Sequence, residues 1–298
     1  MRLFVASLIS GISVGMVYAV VGLVVCIVYR TSRILNLAEG QLFVAGGLGA
    51  AVWIGNGHSS LSVVEVIEII LVGGAVGCVA GIALRYLLRP VEKVADDLEV
   101  VVASFGALYV LQGISGIIWG VNPQNLPNFP GSGPIRITEG VGIPAQTWYV
   151  LGVFLFTYTL TRMLFGKNGV GVRFRASGYQ PKVLQLHGIR THWVVLVSYI
   201  ITGVVAGVAG ALFVPLTTVS YSGGTSLALY GVIAAVAGGL ERPAGAVIAG
   251  LSLGIAESLG QAYTGGLFGD AVALGALVVV LVIRPSGMLV PKETVALR

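Results

Sequence analysis

Charged residues are scarce in this sequence. Only 10% of the 298 residues are Asp, Glu, Lys or Arg, and 56% are hydrophobic, whereas a soluble domain typically has about 25% charged residues. A soluble chain this apolar would expose more hydrophobic surface than water tolerates, so most of its surface has to face lipid or other apolar helices. The composition excludes an ordinary soluble domain and predicts a single polytopic membrane domain over residues 1–298.

Motifs for nucleotide and metal chemistry are also missing. No G-x-x-x-x-G-K-[ST] occurs, because "GKN" at 166–168 lacks both the upstream glycine spacing and the hydroxyl residue. The three histidines have no metal-ligand spacing. Cys26 and Cys78 fall inside apolar segments, where they indicate neither a disulfide nor a metal site. The sequence predicts no catalytic residue, no metal site and no cofactor in this chain.

What the sequence does have is a series of long apolar runs, and a helix needs about 20 such residues to cross a membrane. Seven runs meet or nearly meet that length: Leu3–Tyr29, Val63–Leu88, Val100–Gly120, Gln146–Phe165, Trp193–Pro215, Ala244–Tyr263 and Asp270–Ile283. Two further apolar segments, Leu35–Ile54 and Ser226–Leu240, are short and interrupted by glycine. Together they predict an all-α protein with about nine crossings.

Basic residues predict the orientation of these crossings. They stand in alternate connections, as nine crossings require: Arg30, Arg33, Arg85, Arg89, Lys93, the 166–192 loop, Arg242, Arg284 and Lys292. The opposite connections, at 55–62, 121–145, 216–225 and 264–269, contain Arg136 as their one basic residue. The positive-inside rule then places the N-terminus and the 121–145 loop outside, and the C-terminus and the 166–192 loop in the cytoplasm. This pattern accounts for the positive net charge without any nucleic acid partner.

The two short segments predict an inverted pair. The first runs outward and begins with Asn36, Glu39 and Gln41, whereas the second, within the stretch 222–246, runs inward and has Thr225 just before it and Tyr230 inside it. Interrupted segments at corresponding places in oppositely oriented halves indicate an inverted repeat with a transport pathway at its interface. We take these five residues as candidate pathway residues. The alternative is that the glycines only allow close helix packing, as small residues do throughout membrane bundles.

Two carboxylates extend this hypothesis, because an ionisable group inside a membrane is costly unless it is paired or hydrated. Glu257 lies within a predicted crossing and is the sixth candidate pathway residue, with a helix–helix hydrogen bond as the alternative role. Glu39 is predicted near the cytoplasmic boundary, where the alternatives are a solvated side chain or a cap for the helix that follows.

Six blocks in order resemble a known family. They are "GISVGMVYAVVGLVVCIVYRTSRILNLAEGQLFVAGG", "LLRPVEKVADDLEVVVASFGALYVLQG", "ASGYQPKVLQLHGI", "GVVAGVAGAL", "AAVAGGLERPAGAVIAGLSLGIAESL" and "LVIRPSGML". Over residues 8–290 they resemble the smaller permease subunit of bacterial ABC importers for branched-chain amino acids, a family that includes urea and amide permeases. One departure is "NLAEG", with Glu39 where many relatives have histidine in "NFAHG".

The resemblance implies a role for the basic stretch at 176–189. In such permeases a short cytoplasmic helix docks in a cleft of the ATPase, and the residues implied for coupling are Ala176, Pro181, Lys182, Val183, Leu186, Gly188 and Ile189. The residue types agree, because Pro181 suits a first helical turn, Gly188 suits a helix stop, and Val183, Leu184 and Leu186 offer apolar anchors. The alternative is a basic loop held by anionic membrane lipid.

The resemblance also implies partners and a location. The expected partners are ATPase subunits that use ATP, a second homologous permease and an extracytoplasmic substrate-binding protein, in the bacterial cytoplasmic (inner) membrane. The implied substrate is a branched-chain or other hydrophobic amino acid. An alternative that fits the inverted repeat and Glu257 is a stand-alone ion- or proton-coupled secondary transporter or channel.

Overall fold

A computed structural model of the chain describes residues 2–55, 61–93, 97–127, 129, 135–138, 141–143, 146–166 and 169–264, with positions 271 and 275. The helices within these ranges are α1 (Arg2–Ser32), α2 (Glu39–Ile54), α3 (Val63–Leu88), α4 (Asp97–Trp119), α5 (Gln146–Leu164), α6 (Gly169–Tyr179), α7 (Pro181–Leu186), α8 (Thr191–Phe213), α9 (Gly224–Gly238) and α10 (Pro243–Thr264). Short 3₁₀ turns cover Val91–Lys93 and Val214–Leu216.

Five helical stretches in the described part of the chain are long and apolar enough to cross a membrane. They are Leu3–Ser32, Val63–Leu88, Leu98–Trp119, Thr191–Leu216 and Pro243–Thr264. Helices α5 and α6 would make a sixth if taken together, although their axes meet at 80°. These helices confirm a polytopic helical membrane protein. The last predicted crossing, Asp270–Ile283, lies outside the described residues.

Glycine allows the longest helices to pack backbone against backbone. A Cβ atom on Gly15 of α1 would lie 2.8 Å from the Leu251 Cα of α10, and one on Gly77 of α3 would overlap the Gly203 carbonyl of α8. Small residues permit this approach in membrane bundles, where dispersion and hydrogen bonding replace the hydrophobic effect between helices. Helix α1 is the most enclosed, with Val20, Val24 and Val28 almost fully buried.

The two short helices are not broken at their internal glycines, contrary to the sequence prediction. Helix α2 runs unbroken through Gly46 and Gly47, and α9 runs through Gly231. A side chain on Gly46 would overlap Gly207 of α8, so this glycine serves close packing. The packing contact offsets the roughly 1 kcal/mol that glycine costs in a helix. The interruptions lie instead before each helix, at 33–38 and 217–223.

The predicted outer loop contains a small hairpin. Strand β1 (Ile135–Thr138) pairs antiparallel with β2 (Val141–Ile143). Earlier in the same loop, Gln124 and Val219 exchange two backbone hydrogen bonds of 2.9 Å. This bridge joins the 121–145 loop to the connection before α9, so the two predicted outer connections lie on the same side of the molecule.

Candidate functional site

The first half of the candidate site is the place where α2 and α9 meet near their N-termini. A Cβ atom on Gly40 would lie 2.6 Å from the Ala228 Cα, and Gln41 Nε2 donates to the Tyr221 carbonyl at 3.2 Å. The helices have 16 and 15 residues, fewer than the roughly 20 that a crossing needs. Each therefore falls short of a full crossing, follows a non-helical approach segment and starts against the other; we call these two short helices, at about three-quarters of a crossing, the half-length helices.

Glu39, the first residue of α2, is 1% exposed. Its Oε1 accepts a hydrogen bond from Asn36 Nδ2 at 2.9 Å. Thr202, midway along α8, lies beside the carboxyl group, but its hydroxyl donates to the Tyr199 carbonyl at 3.2 Å. Within the described residues, Glu39 Oε2 has no hydrogen-bond donor in good geometry.

This placement corrects two expectations for Glu39. The expectation of a solvated side chain is wrong, because Glu39 is buried. Its position near a boundary is also wrong, because Glu39 lies level with the middle of α8 and not near the end of a crossing. The reason is that residues 33–38 are not helical, so this segment can advance by more per residue than the roughly 1.5 Å of an α-helix. The helix therefore begins deep in the bundle, where its first turn favours a carboxylate.

Helix α4 ties the two half-length helices together. Gln41 is fully buried, and its Nε2 also contacts Ser115 Oγ of α4 at 3.3 Å. Thr225 Oγ1 of α9 donates to Gln112 Oε1 of α4 at 3.4 Å. The structure thus brings four predicted pathway residues to one region: Asn36, Glu39, Gln41 and Thr225. The α4 partners were missed because isolated Gln and Ser in an apolar run give no sequence signal.

The second half of the candidate site surrounds Glu257 on α10, which is 8% exposed. Tyr18 of α1 donates its hydroxyl to Glu257 Oε2 at 2.5 Å, and Gln261 Nε2 donates to Oε1 at 3.0 Å. The Tyr18 ring stacks on Tyr230 of α9 with centroids 4.7 Å apart. A helix–helix hydrogen bond at Glu257 is present, and Tyr18 joins two predicted residues that lie on different helices.

A cavity of about 710 Å³ adjoins this second cluster. It lies among the first half of α1, the connection after α8, the start of α9 and the last turns of α10, and Thr147 of α5 also lines it. Tyr18, Glu257 and Gln261 line one part of it, and Phe43 of α2 lines another. The cavity therefore touches both half-length helices or their immediate approaches as well as the buried carboxylate.

The predicted coupling segment forms two helices, not one. Helix α6 ends at Tyr179, Gln180 has an extended φ of −140°, and Pro181 begins α7. Proline disfavours a helical conformation in the residue before it, which explains the break. The predicted start at Pro181 is confirmed, and so is the stop, since Gly188 has φ +75°.

Hydrogen bonds at the end of α7 form a Schellman motif. Ile189 N donates to the Leu184 carbonyl at 3.2 Å, and Gly188 N donates to the Gln185 carbonyl at 2.9 Å. This pairing is the usual one around a left-handed glycine after a helix. Leu184 is buried within this chain, so its predicted role as an exposed anchor is wrong, whereas Val183 is 45% and Leu186 86% exposed. The Lys182 side chain lies outside the described residues, and Ala176 and Ile189 are half-buried.

Arg33, Tyr179 and Glu241 form a cluster that we call the Arg33 clasp. Arg33 follows α1 and has a left-handed φ of +64°. One guanidinium nitrogen lies 2.7 Å from Glu241 Oε1, in the turn after α9, and the guanidinium carbon lies 3.6 Å from the Tyr179 ring centroid at the end of α6. The clasp therefore connects the approach to α2, the exit from α9 and the segment that leads into α7.

The helices and the site define the class of the molecule as a polytopic helical membrane protein with two half-length helices in its centre. A family model described as "Branched-chain amino acid transport system / permease component" matches residues 7–283. The chain belongs to this permease family. Its function is accordingly that of a transport permease, and the resemblance identified from the sequence is confirmed.

Individual relatives agree with the family assignment. The chain is 27% identical over 297 residues to the high-affinity branched-chain amino acid transport system permease protein LivH of Salmonella typhimurium, with 96% of this chain and 95% of LivH covered. It is 26% identical over 295 residues to BraD of Pseudomonas aeruginosa, with the same coverage. Among solved structures, PsaBC from Streptococcus pneumoniae in complex with Fab aligns at 14% identity over 99% of this chain and 94% of that chain, with a TM-score of 0.48.

Proposed function

We propose that this chain is the permease subunit of an ATP-driven ABC importer for branched-chain or other hydrophobic amino acids. Membership of the permease family supports the proposal, and the observation that carries it is the meeting of two half-length helices near their N-termini. The proposal includes nine crossings, an outer N-terminus, a cytoplasmic C-terminus and the bacterial cytoplasmic membrane. The relatives' names, which specify branched-chain amino acids, support the substrate.

The two half-length helices supply a chemistry for passage. Helix N-termini carry partial positive charge, and discontinuous helices in transporters direct this charge toward anionic substrate groups. The candidate pathway residues Asn36, Glu39, Gln41 and Thr225 stand around this meeting point. A small zwitterion needs only transient contacts here, because affinity in such importers is supplied by a separate binding protein.

Coupling to ATP hydrolysis uses helix α7. Val183 and Leu186 remain exposed on a helix that begins at Pro181 and ends in a Schellman motif. An amphipathic helix laid into a groove binds through a few such apolar anchors. The ATPase subunit provides that groove and uses ATP, and this chain holds no cofactor of its own. The Arg33 clasp then passes motion of the α6–α7 segment to the ends of both half-length helices.

The proposed assembly contains this chain, a second homologous permease, two ATPase subunits and an extracytoplasmic binding protein within membrane lipid. The binding protein delivers substrate to the outer side, where the 710 Å³ cavity lies if the N-terminus is outside. Closure of the ATPases then changes the side of the membrane to which the pathway is open. In alternating access of this kind, the inverted halves rock against each other around the substrate site.

A second candidate function is a stand-alone ion- or proton-coupled transporter. The observation in its favour is that two carboxylates, Glu39 and Glu257, are buried in the bundle. Such residues serve as ion or proton carriers in pumps and secondary transporters. Membership of the branched-chain amino acid permease family favours the importer over this candidate.

Reconstitution separates the two functions. Proteoliposomes with the full complex should accumulate labelled leucine only when ATP is inside and binding protein outside. The chain alone, with an imposed pH or sodium gradient, should accumulate none. Uptake by the chain alone that matches the full complex would reject the importer and favour the second candidate. Labelled urea serves as the substrate control, because urea and amide permeases resemble the same family.

A further inference from the structure

The cavity beside Glu257 has the dimensions and lining of a small-molecule site. Its volume of about 710 Å³ falls within the roughly 300–1,000 Å³ typical of ligand pockets. Apolar walls come from Ile9, Val14 and Phe43, and hydroxyl groups come from Ser10, Thr147 and Ser220. A lining of this mixed kind accommodates a small molecule with one apolar part and one polar part.

Glu257 supplies an acidic group in this lining. Its side chain is more than nine-tenths buried yet borders the cavity. Tyr18 holds Oε2 and Gln261 holds Oε1, at 2.5 Å and 3.0 Å. Both donors are neutral side chains, and the two bonds fix the orientation of the carboxyl group. A carboxylate carries about four acceptor sites in all, and Glu257 borders the cavity.

The support of Glu257 comes from three helices. Glu257 and Gln261 lie one turn apart on α10, Tyr18 lies on α1, and Tyr230 of α9 stacks on the Tyr18 ring. A carboxylate fixed in this way keeps one orientation, which lowers the entropy lost when a ligand binds. The arrangement is thus more elaborate than a single helix–helix bond requires, and it places an oriented carboxyl group at the border of a cavity that a ligand can enter.

We propose that Glu257 binds the primary ammonium group of the transported amino acid in this cavity. This inference rests on the proposed function, because it assigns one part of the substrate to one residue. Ammonium–carboxylate pairs are charge-assisted hydrogen bonds, about twice as strong as neutral ones. The aliphatic side chain of the substrate then lies against the apolar walls. Glu257 is a specificity residue that selects α-amino acids over the corresponding carboxylic acids.

Protection of an engineered cysteine tests the site directly. Thr218 lines the cavity and is exposed, so T218C in a Cys26→Ala, Cys78→Ala background reports occupancy through its rate of maleimide labelling. The chain is assembled with its partner subunits in lipid nanodiscs. Leucine and leucinol, which keep the ammonium group, should slow labelling. Isocaproate, which has the leucine carbon skeleton without the ammonium group, should not.

Glu257→Gln should raise the leucine concentration needed for half-maximal protection by about tenfold or more, as expected for loss of a charged hydrogen-bond partner. Glu68→Gln is the matched control, because Glu68 is exposed near the start of α3 and does not line the cavity. Glu257→Asp keeps the charge and should retain part of the protection, which separates charge loss from misfolding. Two results would overturn the site. One is that leucine protects the Glu257→Gln variant as well as it protects the unsubstituted chain, and the other is that isocaproate protects as well as leucine does.

Failure of this site and failure of the importer give different results. ATP-driven leucine uptake is measured on the same unmodified complex. Uptake without any dependence of protection on Glu257 rejects the ammonium site and keeps the importer. Protection that depends on Glu257, in a complex that shows no ATP-driven uptake, keeps the site and rejects the importer.

Discussion

Substitution of Leu186 by Asp tests the coupling role of α7 most directly. Leu186 is 86% exposed, so its removal costs the isolated permease almost nothing. Complete burial of a leucine side chain is worth about 1.5–3 kcal/mol. If docking buries the exposed fraction, the lost contact amounts to about 1.3–2.6 kcal/mol, which is roughly a ten- to seventyfold weaker complex. The carboxylate adds a desolvation cost in an apolar cleft.

The assay has two parts. The affinity of the purified ATPase for nanodisc-embedded permease is titrated, and ATP hydrolysis by the complex is measured with and without binding protein. Leu186→Asp should weaken binding by at least about tenfold and remove the stimulation by binding protein. Gln185→Asp is the matched control, because it adds the same charge at the adjacent exposed position of α7.

Two more substitutions in the same assay discriminate between docking and lipid binding. Gly188→Val should impair coupling, because a β-branched residue resists the left-handed φ of +75° that ends α7. Lys182→Ala should have a mild effect that shrinks as salt is raised. If Lys182→Ala is damaging and Leu186→Asp is silent, the segment binds lipid headgroups and the coupling assignment is wrong.

Three other predictions address topology, the clasp and the half-length helix. Cysteine at Val121, which is 63% exposed, should react with an impermeant maleimide in intact cells, whereas cysteine at Gln185 should react only after lysis; labelling at Gln185 from outside would reverse the proposed orientation. Arg33→Glu should lower binding-protein-stimulated ATP hydrolysis, and the double variant with Glu241→Arg should restore part of it; no rescue would show that the ion pair is not used. Glu39→Leu should reduce uptake severalfold without loss of assembly, checked by co-purification of the ATPase; normal uptake would remove Glu39 from the pathway.

The sequence predicted the helical membrane class and the ends of α7 well, because these depend on hydrophobic length and on proline and glycine. Helix α7 begins at Pro181 and ends before Gly188 as expected. Proline restricts φ and glycine permits a positive φ, irrespective of tertiary context. The two short segments were identified as a pair for a similar reason. Their composition showed that each was too short to cross as a full helix, although it did not show where each helix begins.

The parts that the sequence did not predict depend on packing between distant segments. Tyr18 is one tyrosine in a long apolar run, and only the approach of α1 to α10 shows that it holds Glu257. Leu184 and Leu186 are both leucine and lie two residues apart, yet Leu184 is buried and Leu186 is 86% exposed. The depth of Glu39 depends on a non-helical approach segment whose apolar residues resemble the helix that follows.

The Arg33 clasp gives the proposed coupling a physical connection from α6 to both half-length helices. Its ion pair is partly exposed, with side chains 25% and 42% accessible, and pairs of that kind contribute only about 0–1 kcal/mol. Arg33 also adopts a left-handed backbone angle that non-glycine residues rarely take. A weak contact held at a strained residue opens at little cost. This contact joins the approach to α2 and the exit from α9 to the end of α6, so in the proposed mechanism a displacement of α7 would release both half-length helices together.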